Sequence, residues 1–380
     1  MSLRSQYLTD VLSTLYPGEG GPVSEFVAVP DVRRARLLVP AGSRRGAAGA
    51  VRRYARPAGR AARLKRDLAA LALRTGADRA LLRDRITVGG ADSIEAYLRL
   101  VLDRDVVVSV HIGPPRANRK PVLQLLDPAG ATLGFAKLGT NALTRRLVRA
   151  EASALTAIRH AELSTVVAPR ILHVGRWQGH EVLVQEALPA WRRRRPVGYR
   201  LPVAMREVAC CLGVTSGPLA ESAYRTDLVA RLSTVDAPLL LAATERLMDR
   251  RGRTVLEFGA WHGDWSPWNM AALADAVLVW DWERFARDVP LGFDAVHHEL
   301  QVRLERGEDA ESAVDAAVAR APERLAPFAV VPDAAEATAL LYLVDLAARY
   351  LADRQAEAGA RLGRLGTWLL PVLIRRVGEL

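Results

Sequence analysis

Apolar and polar residues alternate with a different period in each part of the chain. In the first hundred residues the spacing is mostly three to four, which predicts helices at 47–54 and 59–73 beside a strand-like run at 35–40. Between residues 106 and 138 the period becomes two, which predicts short strands joined by tight turns in an antiparallel meander. The strands predicted in this part are 106–112, 121–126 and 131–138.

Helical spacing returns at 144–160, and two further strands are predicted at 170–174 and 181–185. Beyond Pro196 the pattern is helical apart from a β interruption at 257–283. This order predicts an α+β fold in which a basic, mainly helical cap precedes a small antiparallel-sheet lobe and a mostly helical lobe. The three predicted parts are 1–100, 101–189 and 190–380.

The amino-acid composition indicates a globular protein and excludes several other classes. The 380 residues are 50% hydrophobic and 25% charged, which is the composition of a globular chain with a sizeable core. The two cysteines, Cys210 and Cys211, are neighbours, which excludes a disulfide scaffold and favours a reducing compartment. Because there is neither a long apolar run nor a secretory signal, we expect a cytoplasmic protein without a membrane partner.

The positive charge is concentrated near the beginning of the chain. The formal net charge is +11, and residues 1–85 hold 17 of the basic and 7 of the acidic residues. Twelve basic residues and one acidic residue lie within 31–66. This segment is a candidate for binding an anionic partner, although a solvated arginine-rich face has the same composition. We do not expect nucleic acid as the partner.

Two motifs in the second half of the chain carry a recognisable chemistry. Residues 261–269 read Trp-His-Gly-Asp-Trp-Ser-Pro-Trp-Asn, and residues 279–283 read Val-Trp-Asp-Trp-Glu. Phosphoryl transfer needs a carboxylate beside the attacking hydroxyl, and an amide oxygen with a second carboxylate to hold magnesium. Asp264 suits the first role, and Asn269 and Asp281 suit the second. A hairpin between the two motifs would bring both metal ligands to one point.

These motifs resemble those of the aminoglycoside phosphotransferase and choline kinase superfamily, which has a protein-kinase-like fold of two lobes. Pro-Leu-Gly-Phe-Asp at 290–294 is similar to a third element of that family, which implies that Asp294 braces the catalytic loop through backbone amides. The resemblance extends over about residues 105–375 and is close at 261–294. It implies ATP or GTP and Mg²⁺ as cofactors, with Asp264 as the catalytic base.

The resemblance also implies nucleotide-binding residues upstream. Lys137 on a predicted strand and Glu151 on the following helix match the lysine that meets the phosphates and the glutamate that positions it. Only three lysines occur in the chain, which adds weight to Lys137. The backbone of Glu186 and Ala187 matches the segment that meets the adenine edge.

The loop at 113–121 departs from the family pattern, because it holds one glycine and three prolines where the family has glycines that cover the phosphates. In their place Arg116, Asn118, Arg119 or Lys120 could contact phosphate. Equally, the loop could be a solvated turn.

Three weaker features have competing interpretations. Tryptophans at 261–282 are candidates for stacking on a substrate, Trp265 first, or for core packing. The acidic residues at 299–315 could receive a polycationic acceptor or form a solvated surface. His297 and His298 lack metal-site spacing, and we interpret them as helix packing.

Together these features predict an ATP-dependent phosphotransferase acting on a hydroxyl of a small molecule, such as an aminoglycoside-like antibiotic, a sugar or an amino alcohol. One alternative is a kinase for a macromolecular acceptor recruited by the basic segment. Another is a nucleotide-binding pseudokinase, against which the complete residue set argues.

Overall fold

The computed structural model describes residues 3–18, 20–54 and 59–380, and the chain divides into two compact units. The first unit comprises Met1–Arg149 and Pro169–Trp191, and the second comprises Ala150–Ala168 and Arg192–Leu380.

The strands follow one another in chain order as β1 (Val23–Val29), β2 (Leu37–Pro40), β3 (Arg85–Gly89), β4 (Val107–His111), β5 (Val122–Leu126), β6 (Thr132–Gly139), β7 (Val166–Val167), β8 (Ile171–Trp177), β9 (His180–Glu186), β10 (Thr215–Pro218), β11 (Val255–Trp261), β12 (Met270–Ala272), β13 (Val277–Val279) and β14 (Ala286–Pro290). The helices are α1 (Leu3–Leu15), α2 (Arg44–Arg53), α3 (Arg60–Thr75), α4 (Asp78–Leu81), α5 (Ile94–Leu102), α6 (Ala142–Arg159), α7 (Arg200–Cys210), α8 (Ala223–Leu232), α9 (Pro238–Arg251), α10 (Phe293–Glu305), α11 (Ala310–Ala319), α12 (Ala321–Leu325), α13 (Pro332–Ala352) and α14 (Leu370–Glu379).

The first unit is built on an eight-stranded antiparallel sheet in the order β3-β1-β2-β4-β5-β6-β9-β8. Since side chains alternate between the faces of a strand, neighbouring residues of β1 enter different cores. Phe26 packs in a cluster with residues of α1 and α5, whereas Val27 packs in a cluster with residues of α2 and α3. Both faces are therefore covered, which explains why β2 is buried along its whole length.

The prediction of a mainly helical cap over 1–100 misses two strands, β1 and β3, whereas β2 lies within the strand-like run predicted at 35–40. β1, β2 and β3 all belong to the large sheet, and β2 pairs with β4 with Leu38 opposite Val110. The strand pattern is weak in β3 because it is a sheet edge whose residues are mostly half-buried. The first hundred residues thus share the sheet of the predicted small lobe.

The second unit is mostly helical, as predicted, and contains two small sheets in the orders β10-β11-β14 and β12-β13-β7. The middle of α13 is buried without a break from Ala337 to Ala348, so this helix supplies much of the core. The α+β class is therefore confirmed. Among the described residues no single helix is long and apolar enough to cross a membrane, although one bent pair, Ala321–Phe328 with Pro332–Ala352, reaches that length and composition.

Candidate active site

The loop that follows β11 is held by a buried carboxylate. The backbone amides of His262 and Gly263 donate to Asp294, to Oδ2 at 2.7 Å and to Oδ1 at 3.1 Å. Asp294 lies in the first turn of α10 and is buried. The predicted bracing of this loop by Asp294 is confirmed.

Asp294 is also electrostatically unusual. Burial raises the pKa of its carboxyl group to about 7, although the two amide hydrogen bonds and the charge of Arg349 favour the ionised form. Arg349 of α13 supports the same loop from its carbonyl side, because its Nη1 donates to the Gly263 oxygen at 2.6 Å. Both peptide groups beside Gly263 therefore have fixed partners.

Gly263 is required by its surroundings, so we expect Gly263→Ala to lower the free energy of unfolding by about 2–4 kcal/mol. Its φ is +83°, and a Cβ at this position would overlap the carbonyl group of Arg284. Equilibrium unfolding in urea measures the loss.

Gly213→Ala is the matched control for that substitution. Gly213 has a φ of +92°, and a Cβ added there would have no other atom within 4 Å, so alanine costs only the left-handed backbone, about 1–2 kcal/mol. Equal losses in the two variants would show that the loop at Gly263 has room for a side chain, and would contradict the tight packing.

Three side chains surround the carboxylate of Asp264, which is 31% exposed. Ser266 Oγ donates to Oδ1 at 2.6 Å, and His297 Nε2 lies 3.0 Å from the same oxygen. Asn269 Nδ2 donates to Oδ2 at 3.0 Å. Burial alone would raise the pKa of Asp264, but the interactions with His297 and Ser266 outweigh it and hold that pKa below its usual value.

His262 has a structural role. Its Nδ1 accepts a hydrogen bond from the Asp264 amide at 3.2 Å, so its Nε2 carries the proton and donates to the Trp280 carbonyl at 3.1 Å. Burial lowers the pKa of His262 to about 4, which keeps the ring neutral. The ring thereby ties the loop to the segment that precedes Asp281.

The predicted hairpin between the two motifs is present. β12 and β13 pair with Met270 opposite Val279, and the Trp280 amide donates to the Asn269 carbonyl at 3.1 Å. Asn269 and Asp281 are thus brought to the same end of the hairpin. The backbone of Asp281 is left-handed, with a φ of +72°, a conformation that non-glycine residues adopt rarely and that is frequent at functional sites.

Two further carboxylates accompany Asp281. Ligand atoms of Glu151, Asp281 and Glu283 all lie within 4.8 Å of one another, and Glu151 and Glu283 are buried. Oxygen ligands from carboxylates and an amide are those that Mg²⁺ prefers. The donor set around Asp281 and Asn269 therefore fits this ion. The sequence did not single out Glu283 as part of this group.

The other predicted nucleotide-binding residues lie in the first unit. Lys137 is buried on β6, opposite Val122 of β5 and Leu183 of β9. Since Lys137 and Glu151 belong to different units, their pairing stays a prediction.

The segment predicted to meet adenine begins at the end of β9. The amide of Glu186 donates to the Arg170 carbonyl at 2.8 Å, and the amide of Ala187 donates to the Leu133 carbonyl at 3.3 Å. The Glu186 carboxylate accepts two hydrogen bonds from the Arg170 guanidinium, which lower its pKa. Both amides therefore already have acceptors within the first unit, and the contact with adenine stays a prediction.

The glycine-poor loop at 113–121 is tied to α1. The guanidinium of Arg119 lies 3.3 Å from the ring centroid of Tyr7, and the Arg119 amide donates to the Arg116 carbonyl at 3.1 Å. Stacking on an aromatic ring is a common structural use of arginine. A phosphate contact from Asn118, which is half-buried in this loop, stays a prediction.

The burial of the tryptophans favours core packing over stacking on a substrate for most of them, including Trp265. Trp265, the first candidate for stacking on a substrate, is fully buried, and its ring packs edge-on against His262 at 5.8 Å between centroids. Trp261 and Trp282 are also buried. Trp268 is 49% exposed, so of these residues it is the better candidate for contact with an acceptor.

The acidic stretch at 299–315 is largely neutralised by arginine. Glu299 accepts hydrogen bonds from Arg303, Arg320 and Arg324 at 2.9–3.2 Å. Further along the stretch, Asp309 accepts from the Ser312 amide at the start of α11, and Asp315 accepts from Arg375 and Arg376. These carboxylates stabilise the helices, which favours the structural interpretation over an acceptor site.

Comparison with known proteins gives distant likenesses. No protein-family model matches the chain, and no curated protein matches it either. Among solved structures, the chain is similar to a thermostable mutant of aminoglycoside phosphotransferase APH(4)-Ia in ternary complex with ADP and hygromycin B, at 13% identity over 74% of this chain and 98% of that chain, with a TM-score of 0.47.

Two other solved structures are similar to the chain at lower TM-scores. Aminoglycoside phosphotransferase APH(3'')-Id from Streptomyces rimosus, in complex with ADP and streptomycin, is 18% identical over 66% of this chain and 96% of that chain, with a TM-score of 0.37. A choline/ethanolamine kinase family protein from Mesorhizobium loti is 15% identical over 70% of this chain and 93% of that chain, with a TM-score of 0.38. Two of these three solved structures are aminoglycoside phosphotransferases, and the third is a choline/ethanolamine kinase family protein.

Proposed function

We propose that this chain is a phosphotransferase that moves the γ-phosphoryl group of ATP or GTP to a hydroxyl group of a small molecule. The observation that carries the proposal is the environment of Asp264. A partly exposed carboxylate is held by three side chains on a braced loop, beside a hairpin that presents Asn269 and Asp281. Such an arrangement supplies positioning and charge, which are the main requirements of phosphoryl transfer.

Asp264 is the proposed catalytic base. Its carboxylate would orient the acceptor hydroxyl and take its proton as the hydroxyl oxygen bonds to the γ-phosphorus. The bond from that phosphorus to the bridging oxygen breaks, and a nucleoside diphosphate leaves. The lowered pKa of Asp264 keeps the group ionised at neutral pH, so it is ready to accept a hydrogen bond from the acceptor.

Asn269 and Asp281 are the proposed magnesium ligands, with the Glu283 and Glu151 carboxylates beside Asp281 adding negative charge. Bound magnesium would neutralise the charge of the phosphate oxygens. On the protein side, the hairpin fixes Asn269. The side-chain Nδ2 of Asn269 donates to Asp264, and the side-chain oxygen of Asn269 is the atom that would hold the metal.

Lys137 is the proposed phosphate ligand, with Glu151 as the residue that positions it. Lys137 is buried on a strand, and a lysine ammonium is a compact positive charge that suits contact with the nucleotide phosphates. We also propose that the backbone of Glu186 and Ala187 meets the base and that Asn118 contacts the phosphates.

The test measures magnesium-dependent nucleotide turnover against pooled acceptors, with the Asp264→Asn variant as the blank. The pools are aminoglycosides and macrolides, free and amino sugars, choline-like amines, and nucleosides. A pool-dependent signal that is absent from the blank supports the proposal and names the acceptor class. Equal signals in the blank and the wild type would overturn it.

A macromolecular acceptor recruited by the segment 31–66 is the second candidate. The observation that favours it is the exposure of several described basic residues of this segment, among them Arg44, Arg45, Arg60 and Arg63. An anionic partner would complement such a surface. Deleting residues 1–85 cannot test this idea, because the deletion would remove β1 and β2 from the large sheet together with the first residue of β3.

Charge-removing substitutions test the segment while keeping the fold. We expect the triple variant Arg60→Gln, Arg63→Gln, Lys65→Gln to elute from immobilised heparin at a clearly lower salt concentration than the wild type, because fewer counterions are released on binding. Turnover with a small acceptor should change by less than about twofold, since exposed surface charges contribute little to stability.

The matched control removes the same charge elsewhere. Arg246, Arg250 and Arg253 are exposed residues of the second unit, and their triple glutamine variant should elute close to the wild type. If both triple variants shift equally, net charge alone governs retention and the segment has no special affinity for anions.

A further inference from the structure

We infer that His297 is a positioning residue that fixes the orientation of the Asp264 carboxylate and leaves Oδ2 as the oxygen that meets the acceptor hydroxyl. This inference rests on the proposed phosphotransferase function and deepens it. The three motifs that indicate the function do not include His297, which the sequence presents only as one of two neighbouring histidines on a helix.

The position of His297 follows from the loop brace. His297 lies three residues after Asp294 on α10, so both side chains leave the helix on the same face. Asp294 binds the backbone of the loop, and His297 reaches the side chain of Asp264, with Nε2 3.0 Å from Oδ1. One helical turn therefore holds both the loop and its carboxylate.

The hydrogen-bond partners of His297 determine its tautomer. An ionised carboxylate can only accept, so the Nε2 nitrogen that faces Asp264 must carry the hydrogen. The Nδ1 nitrogen then accepts from the Tyr342 hydroxyl, which lies 2.9 Å away on α13. Since the His297 ring is 2% exposed and Tyr342 is fully buried, both partners are held in place by the core.

This arrangement distinguishes the two oxygens of Asp264. Oδ1 receives Ser266 Oγ at 2.6 Å and His297 Nε2 at 3.0 Å, which fills its two lone-pair directions. Oδ2 receives only the Asn269 amide at 3.0 Å among the contacts of the described residues. The acceptor hydroxyl would therefore donate to Oδ2, and its proton would stay on that oxygen when the new bond to phosphorus has formed.

The test compares two substitutions of His297. His297→Leu removes the donor to Oδ1, and we expect kcat to fall about 10²-fold with the KM for the nucleotide changed by less than about threefold, because a misplaced group affects the transition state more than ground-state binding. His297→Gln keeps an N–H group at a similar reach, and we expect it to restore kcat to within about tenfold of the wild type. A purely structural role would lower the thermal midpoint in both variants without this ordering of kcat.

The controls separate the possible failures. His160 is exposed, so His160→Gln should leave kcat and KM unchanged. If Asp264→Asn turns over normally, the proposed function itself fails. If Asp264→Asn is inactive while a folded His297→Leu keeps the wild-type kcat, only the role of His297 is overturned.

A second measurement needs neither an acceptor nor a folded His297 variant. Nitrogen-15 NMR of the histidine rings in the full-length wild type should show His297 with its hydrogen on Nε2, and Asp264→Asn should shift that Nε2 resonance. A His297 ring with its hydrogen on Nδ1 would contradict the inference, and so would an Nε2 resonance that does not shift in Asp264→Asn.

Discussion

Asp264→Asn should reduce turnover with any acceptor by about 10²–10⁴-fold, the usual contribution of a general base, while nucleotide affinity stays within about twofold. The amide group cannot take up the acceptor proton. It also introduces a donor where the carboxylate only accepts. If the asparagine oxygen stays beside Ser266 and His297, its nitrogen faces the donating Asn269 amide. Initial rates and calorimetric titration with MgATP measure the two quantities.

Asp275→Asn is the control for this result. Asp275 is an exposed aspartate in the turn between β12 and β13, so the variant makes the same chemical change on the same hairpin. It should retain full turnover. A folded Asp264→Asn variant that keeps more than about a tenth of the wild-type rate would contradict the assignment of Asp264 as the base.

The parts of the fold with regular local patterns could be predicted from the sequence. β4, β5 and β6 are strands with clear period-two alternation, and they lie within one or two residues of the predicted bounds. β1 and β3 could not be identified in this way, because their pairing joins segments about sixty residues apart. Such long-range pairing depends on tertiary contacts rather than on local periodicity.

In the site too, residues marked by local motifs could be predicted, whereas contacts that depend on tertiary packing could not. Asp264, Asn269, Asp281 and Asp294 stand at fixed spacings in the sequence, and the structure places each of them around one loop and one hairpin. His297 has a signal in its spacing of three from Asp294, but its contact with Asp264 depends on how α10 packs against the loop.

Burial and neighbouring charges decide between the interpretations that residue type alone leaves open. Trp265 is of a residue type that often stacks on substrates, yet its side chain is buried in the core. Glu299 belongs to an acidic stretch that could receive a polycation, yet it is surrounded by Arg303 of α10, by Arg320, and by Arg324 of α12. In both cases the residue type is informative only together with its neighbours in space, which a sequence without an alignment does not supply.

The second large effect is expected at the proposed metal site. Asp281→Asn should lower turnover by about 10²-fold or more at a fixed magnesium concentration and should raise the magnesium concentration needed for half-maximal turnover. The substitution removes one negative charge from a group in which Glu151, Asp281 and Glu283 lie together. Oxygen ligands without charge bind Mg²⁺ more weakly than carboxylates. A magnesium titration of the initial rate measures the change.

Asparagine is the informative replacement because it removes the charge of Asp281 and keeps a residue type that tolerates the same backbone conformation. The φ of Asp281 is +72°, a left-handed conformation that asparagine tolerates and that alanine adopts at a greater cost. Asp281→Ala should therefore also lower the free energy of unfolding by about 1 kcal/mol relative to Asp281→Asn.

Asp288 is exposed and has a φ of +56°, so Asp288→Asn makes the same change on a similar backbone outside the site. Of these two carboxylates only Asp281 lies beside Asn269, Glu151 and Glu283, so only Asp281→Asn should raise the magnesium requirement. If both variants require the same magnesium concentration as the wild type, Asp281 does not hold the metal.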